Sequence, residues 1–138
     1  MNTASPAESS KLTPDEAAAV TKFVDAVNSG EIVPLARLFA ADAQVNDQLR
    51  NFWGLDAIAA WLQREIVGEH VKLNVQGVRK HYDAVIVGAE MSGDFDATGM
   101  DKPLAVDLYF TMRSEQIVRL LVLLSRAEAT EPEVRRPQ

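Results

Sequence analysis

One acid at the end of a short apolar strand is the residue of this chain best placed to do chemistry. Asp47 closes the short run Ala43-Gln44-Val45-Asn46, and the aromatics Phe52, Trp53 and Trp61 follow closely. A general base works best with a proton affinity near neutrality, a condition that apolar surroundings favour in a carboxyl group. The plainer reading of Asp47 is a strand-end acid that caps the following turn. Asn46 and Gln48 flank it and either orient a ligand or face solvent.

Other chemistries find little to stand on. The chain has no cysteine, which removes disulfides, thiolate catalysis and cysteine metal sites. Its two histidines, His70 and His81, fall after a helix end and in a turn, and no His/Asp/Glu spacing resembles a metal site. Ser92, Ser114 and Ser125 have no histidine placed to activate them. The run Asp94 to Asp101 loosely matches a calcium loop but lacks flanking helices and a closing glutamate, so a solvated loop is the better reading. The glycines form no phosphate cradle. No cofactor and no metal are implied.

The elements that must position Asp47 come in two blocks. Residues 1–12 lack periodicity and read as a disordered tail. Thr13-Pro14-Asp15-Glu16 is a helix start, with Thr13 as cap and Glu16 completing a capping box. Val20, Phe23, Val24 and Val27 mark the apolar face of that helix, and Gly30 ends it. A shorter helix is expected over Val33 to Phe39, then the strand Ala43 to Asp47, then a polar link to Gly54. A third helix over Leu55 to Val67 buries Ile58, Trp61, Leu62 and Ile66.

From Val71 the apolar period changes from 3.6 to 2. Strands are expected over 71–76, 85–91, 104–113 and 117–126, with turns at Lys80 to Asp83 and Ser114 to Gln116. Residues 127–138 read as a second loose tail. Helices followed by an antiparallel meander predict an α+β domain over 13–126. The last two strands carry apolar residues on both faces, with Val106, Leu108, Phe110 and Met112 on one and Ala105, Tyr109, Leu121 and Leu123 on the other. A one-faced antiparallel sheet would alternate. The outer face therefore predicts a cover, and a second copy in a symmetric homodimer is the simplest one.

A 138-residue chain fits one domain that can bury roughly 70% of its unfolded surface. Its net charge of −6 points away from nucleic acid and from anionic membranes as partners. The first residues lack the basic start and apolar core of a secretory leader, and no apolar run approaches membrane-spanning length. A cytoplasmic location is the expectation that needs least added.

The whole pattern resembles the nuclear transport factor 2-like superfamily, in its polyketide-cyclase (SnoaL-like) and ketosteroid-isomerase branch. The resemblance rests on Phe23-Val-Asp-Ala-Val-Asn-Ser-Gly-Glu-Ile, Leu38-Phe-Ala-Ala-Asp-Ala-Gln-Val-Asn-Asp and Gly54-Leu-Asp-Ala-Ile-Ala-Ala-Trp. More loosely, it includes Leu108-Tyr-Phe-Thr-Met-Arg and Ile117-Val-Arg-Leu. It implies a cone-shaped, curved antiparallel or mixed sheet wrapped around three N-terminal helices, the cystatin-like α+β barrel. It also implies that Asp47 stands where the isomerase branch carries its general base. The positions of the branch's two oxyanion donors are matched by Phe23 and Phe110, which cannot donate. Losing even one such donor costs about 3–4 kcal/mol of transition-state stabilisation.

What remains is an apolar pocket for a small hydrophobic molecule. Its expected lining is Phe23, Phe52, Trp53 and Trp61 from the helical half, with Met91, Leu108, Phe110, Leu120 and Leu124 from the sheet. If it turns substrate over, the resemblance implies isomerisation, cyclisation or dehydration with Asp47 as base. The rivals are a non-catalytic ligand-binding domain and a dimerisation module. Asp107 and Tyr109 would exchange places with Leu108 and Phe110 if the strand register slipped by one residue.

Overall fold

Local chemistry sets the first helix. In a computed structural model, which describes residues 11–95 and 103–124, Thr13 Oγ1 accepts from the Glu16 amide at 3.1 Å, and Glu16 Oε1 accepts from the Thr13 amide at 2.9 Å. This reciprocal capping box satisfies two orphan amides of helix α1, Pro14–Ser29. Its inner face is Val20, Phe23 and Val27, with Ala19 and Ala26 between them, and Gly30 ends it in the left-handed conformation (φ +68°). Leu12, placed in the tail by sequence, already packs against the core. The rest of the expected N-terminal tail, residues 1–10, the expected C-terminal tail, the expected end of the last strand at Arg126 and the acidic loop from Asp96 to Lys102 lie outside the described residues.

Helix α2, Ile32–Ala36, is shorter than the expected 33–39. Phe39 instead opens strand β1, Phe39–Asp47, because its backbone pairs with Ile117 of the last strand. A partner far away in sequence overrides local helical preference here. The expected polar link to Gly54 is also a strand, β2, Arg50–Trp53, antiparallel to β1. Gln48 and Leu49 make the two-residue turn, both at positive φ (+55° and +73°). This is the backbone of a tight hairpin turn that usually selects Asn-Gly.

Helix α3, Gly54–Trp61, continues without a break into a π-helical turn, Leu62–Val67. The Gly68 amide donates to Gln63 O at 2.9 Å, five residues back. A Cβ on Gly68 would lie 2.7 Å from that same oxygen, so the closure of the wide turn requires glycine.

Strands β3 (Lys72–His81), β4 (Ala84–Ser92), β5 (Leu104–Arg113) and β6 (Gln116–Leu124) complete one sheet in the order β2-β1-β6-β5-β4-β3. The expected turn at Lys80 tightens to Tyr82 and Asp83, since Lys80 and His81 still pair with Val85 and Ala84. All contacts are antiparallel except β1 with β6. Irregularities between Phe39 and Gln44, Val75 and Gly77, and Thr111 and Met112 occur where a curved sheet bends. The result is a curved, unclosed mixed sheet against N-terminal helices, an α+β architecture.

Register settles which way the strands face. Val45, Leu120, Phe110 and Val85 form one row across β1, β6, β5 and β4, and all four are fully buried. Asp47, Val122, Leu108 and Val87 form the next row. Leu108 and Phe110 therefore point to the concave side. Asp107 and Tyr109 lie on the convex side, where Ile86, Tyr109 and Leu121 share a row.

Candidate functional site

The concave side encloses a cavity of about 240 Å³ between the sheet, α1 and the π-helical turn. At ~30 Å³ per water in the liquid, this is space for about eight waters or one ring-sized molecule. Phe23 and Val27 wall it from α1, and Trp61 and Ile66 from α3 and its continuation. Met91, Leu108, Leu120, Val122 and Leu124 supply the sheet wall, with Phe95 at the end of the described loop. Polar groups gather at one end only: Asp47, Gln48, Arg50 and Glu65.

Those groups are linked. Trp61 donates its indole Nε1–H to Asp47 Oδ2 at 3.0 Å, and Arg50 Nη2 donates to the same oxygen at 2.8 Å. Arg50 then grips Glu65 with both terminal nitrogens, Nη2 to Oε1 at 2.7 Å and Nη1 to Oε2 at 2.9 Å. This paired geometry is the strong form of a carboxylate–guanidinium contact. It holds the Glu65 carboxyl below the ordinary range, the hydrogen bonds from Arg50 outweighing the opposing effect of burial. The same bonds to Glu65 lead in raising Arg50 above its already high value. Side-chain exposure rises from 13% at Asp47 to 27% at Glu65 and 50% at Arg50, so the polar end is the mouth.

Each partner is delivered by a different local device. The hairpin puts Arg50 opposite Asp47 in register. Period 2 along β2 then puts Phe52 on the same face as Arg50, and Phe52 stacks on Trp61 with ring centroids 5.9 Å apart. The Arg50 guanidinium lies 5.5 Å from the Phe52 centroid. The hairpin turn itself is tied down by Gln48, whose amide and side-chain Nε2 both donate to Val122 O at 3.2 and 3.0 Å.

Of the residues expected at the pocket, Phe23, Asp47, Trp61, Met91, Leu108, Leu120 and Leu124 line the cavity. Phe110 and Phe52 are not in its lining. Phe110 is fully buried behind Phe23, edge-on at 5.1 Å, and Phe52 sits behind Trp61. Trp53 pairs with Gln44 on the convex side of β2 and is 65% exposed, because alternation turns it away from Phe52. Asp47 is not the isolated carboxylate that the sequence presents, since it is bonded to Trp61 and Arg50. Sequence reasoning missed Arg50 and Glu65. The signals were the alternation of Arg50 and Phe52 against Asn51 and Trp53, and the four-residue step from Trp61 to Glu65 along one helix face. Among the described residues, no group of three or more acidic or histidine side chains could hold a metal ion.

A curved, open sheet with an apolar cavity between it and the N-terminal helices defines the cone-shaped α+β class of the nuclear transport factor 2-like folds. Within it, the chain belongs to the SnoaL-like domain family, whose model matches residues 20–120. Solved structures share the fold. A protein of Sinorhizobium meliloti provisionally assigned as a polyketide cyclase is 24% identical, with a TM-score of 0.69 over 77% of this chain and 94% of that one. A hypothetical protein of Catenulispora acidiphila with a ketosteroid isomerase-like fold, solved in complex with trimethylamine, is 22% identical. Its TM-score is 0.66 over 81% of this chain and 86% of that one. An NTF2-like protein of unknown function from Cytophaga hutchinsonii is 14% identical, with a TM-score of 0.65 over 88% and 97%. No curated protein matches the chain in sequence. No helix among the described residues is long and apolar enough to cross a membrane.

Proposed function

We propose that this SnoaL-like domain binds a small hydrophobic molecule in the cavity behind Phe23, with the polar end of the ligand at Asp47. The observation that carries this is the pairing of an apolar wall with polar groups confined to the mouth. A concave apolar site with a few convergent polar groups is the usual form of a small-molecule site.

Proton transfer with Asp47 as base is a second reading, supported by its position at the end of β1 and at the cavity wall. It would proceed without the oxyanion donors of the isomerase branch, because Phe23 and Phe110 occupy those positions. Once a substrate is found, Asp47→Asn with unchanged turnover would remove Asp47 as base.

The proposal extends to a homodimer formed through the convex face, where Tyr109, Leu121 and Leu123 are only half-buried, and to a cytoplasmic setting. The net charge of −6 supports a partner other than nucleic acid or an anionic membrane.

The test of ligand binding is a titration with toluene, a neutral single-ring probe, followed by amide chemical shifts. Saturable shifts of the cavity residues, lost in Leu108→Trp while the circular dichroism spectrum is kept, are the expected result. A response that survives the filling of the cavity would place binding elsewhere.

A further inference from the structure

The mouth of the cavity has an unequal supply of donors and acceptors. Arg50 makes four hydrogen bonds: Nε to Asp47 O at 3.3 Å, Nη2 to Asp47 Oδ2 and Glu65 Oε1, and Nη1 to Glu65 Oε2. A guanidinium has five N–H groups, so at most one is left for a ligand. The Trp61 indole N–H is committed to Asp47 Oδ2. Glu65 has both oxygens engaged by Arg50. Asp47 Oδ1, by contrast, accepts no hydrogen bond from any described residue, although the side chain is only 13% exposed and lines the cavity. Gln48, also in the lining, gives one Nε2 hydrogen to Val122 O and keeps the other. Asp47 Oδ1 is thus an open charged acceptor, set against at most one remaining N–H on Arg50 and one on Gln48. The charges lining the cavity are two carboxylates and one guanidinium, a balance of −1. Arg64 touches Glu65 at 3.3 Å but does not line the cavity.

We propose that the cavity takes a compact apolar amine, its ammonium donating to Asp47 Oδ1 and its hydrocarbon body lying against Phe23, Leu108 and Leu124. The inference rests on the pocket-binding reading above and adds the ligand class. A carboxylate in the same place would meet Asp47 and Glu65 with at most one N–H each from Arg50 and Gln48 to receive it, and like-charge juxtaposition in a partly desolvated site is costly. An alcohol can donate to Oδ1 but lacks the attraction of the charge. A carbonyl brings only an acceptor to an acceptor.

Three probes with one body separate these cases: cyclohexylmethylamine, cyclohexylmethanol and cyclohexanecarboxylate. Each is titrated into the full chain at pH 7 and followed by amide chemical shifts. The expected order is amine, alcohol, carboxylate, with the amine at least about tenfold tighter than the carboxylate. Asp47→Asn should bring amine and alcohol to within about threefold of each other. Glu65→Gln keeps Asp47, removes one charge and releases Arg50 donors, so the ratio of amine to carboxylate affinity should fall about tenfold. It serves if the Asp47 variant does not fold. Saturable binding in which the carboxylate equals or exceeds the amine overturns the ligand class and leaves the pocket reading standing. An amine preference that survives both substitutions also overturns it. No binding by any of the three probes overturns the pocket reading for ring-sized ligands, and the amine inference with it.

Discussion

Trp61 and Asp47 are 14 residues apart in the chain and 3.0 Å apart in space, indole nitrogen to carboxylate oxygen. The bond ties a helix to the end of a strand at the rim of the cavity. Trp61→Phe removes the donor and part of a buried ring system, and leaves one ring to stack on Phe52. A hydrogen bond to a charged group is worth about 1.5–3 kcal/mol and the lost ring volume adds to it, so a loss of at least about 2 kcal/mol in unfolding free energy is expected. Urea denaturation should show a lower midpoint with an unchanged slope.

Leu49 holds φ at +73° in the β1–β2 turn, and the residue is 85% exposed. The left-handed conformation costs a non-glycine residue about 1–2 kcal/mol, and few contacts are there to be lost. Leu49→Gly should therefore stabilise the domain by about 0.5–1 kcal/mol after the added freedom of the unfolded chain is counted. A thermal midpoint below that of the wild type would contradict the assigned turn.

The Arg50–Glu65 pair makes stability depend on pH in a definite direction. The folded-state value of Glu65 is lowered by hydrogen bonds from Arg50. Its contribution is thus fully present above the unfolded value near 4.3, and is lost as pH falls through the lower folded value. Thermal midpoints measured from pH 6 down to pH 2.5 should fall less steeply for Glu65→Gln than for the wild type. Glu16 is lowered in the same direction, although its burial opposes the shift, because Thr13 and Lys80 hold its charged form. Its contribution remains in both proteins and cancels in the comparison.

Phe110 is fully buried and meets Phe23 edge-on at 5.1 Å. Phe110→Ala should cost about 3–5 kcal/mol, the range for truncating a core aromatic, measured by chemical denaturation. A cost under 1 kcal/mol would mean that the site collapses freely or that Phe110 is less enclosed than its place in the sheet indicates.

Leu121 sits beside Tyr109 in the convex row. If that face joins two copies, sedimentation at micromolar concentration should give a dimer, and Leu121→Arg a monomer of unchanged secondary structure. A wild-type monomer would remove the dimer proposal.

Features that depend on neighbours along the chain are legible in the residues alone. The Thr13–Glu16 capping box, the apolar stripe of Val20, Phe23 and Val27, and the alternation in β4, β5 and β6 are all written in local spacing. The α+β class follows from their order. The place of Asp47 at the end of a strand was equally legible. Tertiary structure decided what depends on distant partners. Phe39 looked helical until Ile117 paired with it, and Arg50 looked like part of a linker until the hairpin set it opposite Asp47. Strand register, which one residue of slip would invert, chose Leu108 and Phe110 for the inside and Asp107 and Tyr109 for the outside. Trp53 shows the same logic at an edge: its type suggested a pocket wall, and the two-residue period of β2 turned it outward. The carboxylate that reads as solitary along the chain becomes one member of a bonded cluster because a hairpin, a helix and a π-turn bring Arg50, Trp61 and Glu65 to it.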